Sequence, residues 1–181
     1  RRISWSSTLL MQVARNRTAA FNRAQLVMAT YRPFEKRWLY LDSMFNERPG
    51  AMPDYFRDSS ENLVIATTGV GASKPFSCLM VNCPPNYHTL DTGKSFPLYV
   101  YDVMPQGDLL STAGQRERLV QRDAISDKAL AAFRSAYRSP SLEKQDLFYY
   151  VYGVMHSPEY KARFDADLKK QLPRIPYAAD F

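Results

Sequence analysis

The side chains best suited to chemistry in this sequence are cations and amides that bind anions and nucleobases. Arg32, Lys36 and Arg37 lie within six positions, in an aromatic-rich segment over residues 31–42. Arginine pairs with the two acceptors of a guanine edge, asparagine pairs in the same way with adenine, and cations also contact phosphates. The segment therefore predicts a surface that grips something anionic or, as an alternative, a solvated basic rim.

Two stretches imitate the motifs of enzymes but lack their spacing. Residues 69–74 look like a phosphate-binding loop, yet Pro75 follows the lysine where the motif needs serine or threonine. Residues 82–87 resemble the Asn-Pro-Pro-Tyr loop of amino-methyltransferases, yet Cys83 and Asn86 break that order. The acids do not cluster as in a metal-dependent nuclease, and the Cys and His residues form no zinc-binding set. The sequence predicts neither catalysis nor a cofactor or metal in this chain.

Composition favours a folded, basic protein. Of the 181 residues, 45% are hydrophobic and 13% are aromatic, which excludes a disordered tail. The net charge is +6, and most of the excess lies in residues 1–60, which hold ten cations and five acids. Such a balance permits nucleic acid as a partner. Two cysteines are too few for a disulfide framework, and no apolar run reaches the length of a membrane span, so a cytoplasmic protein without membrane contact is expected.

The segment over residues 31–42 predicts a loop followed by a strand. Pro33 fixes the backbone at the entry. In the strand after it, Trp38 and Tyr40 point to one face, and Leu39 and Leu41 point to the other. Because both faces are apolar, the pattern predicts a strand inside a sheet that is covered on both sides.

The remaining patterns give an α+β fold: a mixed, mainly antiparallel sheet with an aromatic-rich core, followed by a C-terminal three-helix segment. We expect a sheet-based core over 1–104, a linker over 105–123 and a helical subdomain packed on the core over 124–181. Strands are predicted at 62–67, 76–81 and 96–103, with 24–30 a strand or short helix and 45–60 a loop. Four helices are predicted. The first covers 4–15, the second begins after Ser126 as its N-cap, the third covers about 142–156, and the fourth begins after Ser157 as its N-cap.

Four stretches carry a resemblance to one family, namely Tyr31-Arg32-Pro33-Phe34, Thr68-Gly69-Val70-Gly71 with Lys74-Pro75-Phe76-Ser77, Asp146-Leu147-Phe148-Tyr149-Tyr150 and Leu172-Pro173-Arg174-Ile175-Pro176. The chain resembles the C-terminal specificity (target recognition) domain of Type ISP restriction-modification enzymes over nearly its whole length. The resemblance implies a longer parent polypeptide with an Mrr-like nuclease, a helicase-like translocase and an adenine-N6 methyltransferase, which together use ATP, Mg and S-adenosylmethionine. It also implies a non-catalytic domain that follows the methyltransferase and recognises double-stranded DNA. The lack of an initiator Met agrees with such a piece.

The candidate site residues follow from this resemblance and from the residue types. Phosphate contacts are expected from Arg15, Arg17, Lys36 and Lys74. Contacts to bases or to a groove are expected from Arg32, Arg37, Asn86, His88 and Lys94. Alternatives stay open: Arg15 and Arg17 also suit a basic helix end, Arg32 and Arg37 also suit the frame of the sheet, and His88 also suits an ordinary surface loop.

The sequence also permits a second function, that of a protein-interaction module. A protein-interaction module would dock the helicase and methyltransferase domains together through its C-terminal third, with Tyr149, Tyr150 and Tyr160 as the aromatic interface. The first helix departs from the family pattern, because its residues 9–11 are apolar where members carry a more basic stretch. This departure favours packing of that helix on the methyltransferase over contact with DNA.

Overall fold

The computed structural model describes residues 6–46, 50–57, 60–106 and 116–181, and it has the expected α+β fold. The described strands and the first two α-helices lie in the first two thirds, and three α-helices follow. The helices are α1 Ser7–Ala14, α2 Met52–Tyr55, α3 Asp127–Tyr137, α4 Lys144–His156 and α5 Pro158–Leu168. The strands are β1 Leu26–Arg32, β2 Glu35–Tyr40, β3 Val64–Thr67, β4 Cys78–Val81, β5 Lys94–Pro97, β6 Tyr99–Gln106 and β7 Arg116–Asp123.

The central sheet has the strand order β4-β3-β5, with both pairings antiparallel. All residues of β3 are buried, because its Val-Ile-Ala-Thr sequence lies between two partners and under the helices. Ile65 stands opposite Met80 in β4 and opposite Phe96 in β5. The β-branched and apolar residues of β3 suit a strand that is covered on both faces.

One hydrophobic cluster joins this sheet to the last two helices. Ile65 lies at the sheet end of the cluster, and Phe148 and Met155 of α4 lie at the helical end. Serine side chains cap α3 and α5 as expected, since Ser126 accepts from the amide of Ala129 and Ser157 accepts from that of Tyr160. The three C-terminal helices are thus confirmed, while the division into core, linker and helical subdomain stays a prediction.

The single strand expected at 96–103 is instead two strands in different sheets. Between β5 and β6 the buried Leu98 donates its amide to the carbonyl of Leu63 at 2.8 Å. The buried side chain of Asn62 then accepts from the amide of Tyr99 at 3.1 Å and donates to its carbonyl at 2.7 Å. A side chain therefore takes the place of a neighbouring strand at this corner, and the hydrophobic alternation shows no sign of it.

The second half of the stretch expected to be a linker, 105–123, forms a strand. Residues 116–123 form β7, which pairs along its whole length with β6, from Tyr99 opposite Asp123 to Gln106 opposite Arg116. Residues 107–115 lie outside the described residues. Pairing with β6 supplies the backbone hydrogen bonds of β7, so this strand needs no apolar periodicity of its own.

The strand after Pro33 is not covered on both sides. It forms β2, which pairs only with β1 in a separate two-stranded antiparallel sheet. Among the described residues of this hairpin only Ala29 and Thr30 are buried, and the Trp38 side chain is 67% exposed. The aromatics here are therefore surface residues and not the centre of the core. The loop expected at 45–60 also contains the short helix α2.

Candidate nucleic-acid interface

The β1–β2 hairpin presents its arginines on an aromatic ring. The guanidinium carbons of Arg32 and Arg37 lie 4.5 Å and 4.4 Å from the centre of the Tyr31 ring. Arg37 also donates to Glu35 at 2.7 Å, and the ladder register shifts between Thr30 and Arg32. Stacking on an aromatic face holds a guanidinium in place. Arg32 also donates to the carbonyl of Tyr31 at 3.2 Å, and each guanidinium has five N–H donors, so further donors remain on both arginines. The two arginines are therefore ordered and exposed together.

Thr30 ties this hairpin to the loop over residues 82–90. Its amide donates to the Pro84 carbonyl at 2.8 Å, and its own carbonyl accepts from the Asn86 amide at 2.9 Å and the Thr89 hydroxyl at 3.1 Å. The Thr30 hydroxyl and the Cys83 thiol lie 3.1 Å apart, and both residues are buried. The hairpin and this loop are consequently one unit.

A second link between the hairpin and the loop lies at the surface. The ammonium of Lys36 donates to the side-chain carbonyl of Asn82 at 2.8 Å. Within the loop, the side-chain oxygen of Asn86 accepts from the amide of His88 at 2.8 Å, and the His88 ring packs against the edge of Tyr87. Asn86 and His88 are thereby presented beside the hairpin cations.

The loops over 68–74 and 91–93 are locked together on the other side of this loop. Both the amide and the hydroxyl of Ser73 donate to the Asp91 carboxylate at 2.9 Å, and the amide of Gly69 donates to the Asp91 carbonyl at 3.1 Å. Asp91 and Thr92 have φ angles of +61° and +47°, so the backbone turns at these two residues, which form the Asp91 turn. Lys74 and Lys94 flank this turn.

The hydrogen bonds from Ser73 hold the pKa of the Asp91 carboxyl below its ordinary value of 3.8. A lowered folded-state pKa contributes stability above the unfolded-state pKa, and that contribution is lost as the pH falls through the folded value. We expect the free energy of unfolding of the native chain to exceed that of Asp91→Asn at neutral pH, and this difference to shrink as the pH falls below 3.8. Asparagine keeps an acceptor and tolerates the positive φ, so the variant isolates the charge. Urea midpoints across the pH range measure the difference, and a gap independent of pH would contradict the expectation.

All nine sequence-predicted site residues lie on the surface, but they fall into three groups. The linked hairpin and loop carry Arg32, Lys36, Arg37, Asn86 and His88. A cleft of about 620 Å³ has Asn86 and Lys94 on its walls, and Lys74 lies by the Asp91 turn. Among the described residues, no hydrogen bond or ion pair joins Arg15 or Arg17, at the end of α1, to either group.

Sequence reasoning missed the residues that hold this surface together. Tyr31 and Thr30 were not predicted as site residues, although Tyr31 orders the arginines and Thr30 orders the loop. Of these residues, only Tyr31 could have been predicted from the sequence. Arg32 and Arg37 lie on either side of the hairpin turn, where both can stack on the Tyr31 ring. The contacts of Thr30 and Asn82 join positions at least 46 residues apart, which a local pattern does not encode.

Groups with catalytic potential are not assembled on the part of the chain that the structure describes. Burial raises the pKa of the Cys78 thiol to about 11, so it stays protonated at neutral pH and is a poor nucleophile. No set of three metal-ligating side chains is found across the described ranges. Nor is any helix in those ranges long and apolar enough to cross a membrane.

The model of the family described as the Type ISP C-terminal specificity domain matches residues 1–181. The chain belongs to this family. The resemblance found in the sequence motifs is thus confirmed over the full length of the chain. A search of curated proteins finds no match to it.

Three solved structures contain a domain similar to this specificity domain. The cryoEM structure of a DrdV–DNA complex matches 98% of the chain with 29% identity and a TM-score of 0.83. The ATP-dependent Type ISP restriction-modification enzyme LlaBIII bound to DNA matches 96% with 28% identity and a TM-score of 0.78. A nuclease-deletion mutant of the Type ISP enzyme LlaGI in complex with a DNA substrate mimic matches 97% with 30% identity and a TM-score of 0.73. The specificity domain spans 16%, 11% and 12% of those chains.

Proposed function

We propose that this chain is the DNA target recognition domain of a single-polypeptide, ATP-dependent restriction-modification enzyme. The observation that carries the proposal is the linked hairpin and loop, where Lys36 contacts Asn82 and two arginines stack on Tyr31. Membership of the specificity-domain family supports it, and so do similar domains in three proteins solved with DNA or a DNA mimic. The domain itself carries out no chemistry.

The exposed side chains divide by the part of DNA that they suit. Lysines act as point charges, so Lys36 and Lys74 would contact phosphates and set the register on the duplex, with Arg15 and Arg17 as further phosphate contacts. Planar guanidinium and amide groups match base edges, and imidazole bonds them as donor or acceptor. Contacts to bases or to a groove are proposed for Arg32, Arg37, Asn86, His88 and Lys94.

The proposed role in the parent is to hold the duplex for the other domains. The methyltransferase domain, before this one in the polypeptide, would transfer a methyl group to adenine N6 from S-adenosylmethionine. The helicase-like domain would use ATP and Mg to move along DNA before the nuclease cleaves. A methyltransferase must extrude its target base from the stack, and a domain that clamps the duplex supports this step. None of these cofactors is assigned to a residue of this chain.

The salt dependence of DNA binding tests the proposal directly. Each neutralised phosphate contributes about 0.9 to the slope of log affinity against log salt, so the native protein should show a steep slope. Lys36→Ala should lower that slope by about 1. Asn82→Ala removes the partner of Lys36 but no charge, so its slope should be unchanged; Lys128→Ala removes an exposed lysine of α3 and should also have no effect. Fluorescence anisotropy with a labelled duplex at several salt concentrations gives these slopes.

Two outcomes would count against the proposal. A flat salt response of the native protein would exclude a phosphate-gripping domain. Failure to bind any duplex, even when the chain is joined to the region that precedes it, would remove the function altogether. Equal slopes for Lys36→Ala and Lys128→Ala would leave the proposed function intact but would show that Lys36 does not contact a phosphate.

A second candidate function is docking of the neighbouring domains, and α1 is the feature that favours it. Its described residues include none that is buried, and Leu10, Met11 and Val13 are exposed apolar side chains. Two of the three tyrosines expected at the interface are engaged within the chain. Tyr160 is buried and bonds the Arg174 carbonyl at 2.9 Å, and Tyr150 bonds Pro176 in the C-terminal tail. Of the three, only Tyr149 remains exposed, so docking would use α1 rather than the C-terminal third.

A further inference from the structure

Phe34 at the tip of the β1–β2 hairpin is unusual in both its backbone and its exposure. Its φ angle is +65°, in the left-handed region that glycine and asparagine adopt most easily. It follows Pro33 as the second central residue of a turn, the position where a turn of this kind normally has glycine. Its side chain is nevertheless a phenyl ring that is 94% exposed. A residue chosen only to make this turn would be neither bulky nor aromatic.

The fold itself gains nothing from the Phe34 ring. No ring–ring or cation–π contact to it is found among the described residues, although Tyr31, three positions away, holds two guanidiniums. Strain at a site that the surrounding fold does not reward points to a role outside the fold. The partner of this ring therefore lies outside the described chain.

The charges around Phe34 identify the chemistry of that partner. Arg32, Lys36 and Arg37 lie within three positions of the ring, against the single acid Glu35. Glu35 is already engaged by Arg37, with 2.6 Å between the two groups. The Phe34 ring is a flat apolar group with cations close by, so it is complementary to a partner whose flat apolar groups have anions close by. Stacked base pairs between two phosphate backbones have this arrangement.

We infer that Phe34 is a wedge that enters the base stack of duplex DNA. The inference rests on the proposed function and adds to it a residue that acts on the shape of the DNA. Apolar side chains inserted at a base step unstack it partly and kink the duplex, and the deformed DNA then contacts more of the protein surface. The ammonium of Lys36 would meet a phosphate beside the opened step, and the arginines on Tyr31 would lie in the groove next to it.

The anchoring of the hairpin suits this action. Thr30 and Lys36, which are paired close to the tip of the hairpin, fix it to the loop that carries Asn86 and His88. Pro33 stiffens the tip next to the wedge. Because the hairpin and loop form one unit, insertion of the ring places that loop at a set distance from the opened step.

The experiment compares duplexes that report unstacking. The probe is a duplex enriched by the native full-length polypeptide from a pool of random sequences, made with 2-aminopurine at each adenine position in turn. Native protein should raise the fluorescence severalfold at the target adenine, which the methyltransferase extrudes, and at one further step, which the wedge opens. Phe34→Gly should abolish the rise at this further step and weaken binding by about 10-fold to 100-fold, in line with the loss of one aromatic–base contact. Glycine suits the φ of +65°, so this variant keeps the fold.

Two further variants sharpen the comparison. Phe34→Trp keeps a flat apolar ring and should keep the rise. Tyr149→Ala removes an exposed aromatic side chain on α4, away from the hairpin, and should change neither fluorescence nor affinity.

The outcomes separate the inference from the proposed function. If the native protein enriches no duplex, both fall. If it binds with a steep salt slope but no position besides the target adenine brightens, or if Phe34→Gly binds and brightens like the native protein, the wedge is overturned and the function stands. A Phe34→Gly protein with native DNA behaviour but weaker association with the preceding domains would instead show that the ring packs against protein.

Discussion

Phe148→Ala is expected to lower the free energy of unfolding by about 3–5 kcal/mol, the cost typical of removing a buried phenyl ring. The ring lies on α4 and packs in the cluster that also holds Ile65 and Cys78 of the central sheet. Its loss would leave a cavity between the sheet and the helices, so both should be destabilised together. Urea unfolding followed by circular dichroism reports the helices, and hydrogen exchange at the β3 amides reports the sheet.

The adjacent residue provides the control for this prediction. Tyr149 is 44% exposed on the same helix, so Tyr149→Ala should cost less than about 1 kcal/mol. In the native chain and in Phe148→Ala alike, the helix and sheet signals should be lost in a single transition. Separate transitions would show instead that the predicted helical subdomain over 124–181 is an independent folding unit.

The C-terminal helices were predictable because their signals are local. Ser126 and Ser157 each stand at an N-cap, and Pro158 follows at the first helical position, where its missing amide costs nothing. The strand over β2 was predicted, but its burial was wrong. Apolar residues on both faces of a strand indicate that both faces favour burial. They do not indicate whether other elements of the same chain bury them.

Elements that depend on distant partners were not predictable from local pattern. The polar strand β7 forms because β6 lies beside it, and the break at Leu98 exists because the side chain of Asn62 bonds Tyr99 from 37 positions away. The same limit applies to the site. The residue types that suit DNA were predictable, and the structure places all nine candidates on the surface, but which of them meet depends on Thr30 and Asn82.

Gly69→Ala is expected to destabilise the chain by about 3 kcal/mol or more and to disorder the loops next to the interface. A Cβ atom at Gly69 would stand 1.8 Å from the backbone carbonyl oxygen of Thr92. Backbone cannot yield as a flexible side chain does, so the two loops must separate. The bonds from Ser73 to Asp91 span these loops and should be lost with the packing.

The effect of this change on DNA binding follows from the position of the loops. Lys74 and Lys94 flank the Asp91 turn, so their separation from the hairpin cations should vary once the turn is released. We expect weaker binding and a salt slope lowered by about 1, for the displaced phosphate contact of Lys74. Thermal unfolding and anisotropy titrations on the same preparation measure both effects.

Gly153→Ala is the matched control for the glycine substitution. No atom lies within 4 Å of a Cβ placed at Gly153 in α4, so alanine should stabilise this helix by about 0.5–1 kcal/mol and leave DNA binding unchanged. A Gly69→Ala protein as stable as the native chain would mean that the loops can move apart at little cost. Stability lost without any change in DNA binding would instead confine Lys74 and Lys94 to a role outside the interface, and the hairpin with the loop over residues 82–90 would then be the whole of it.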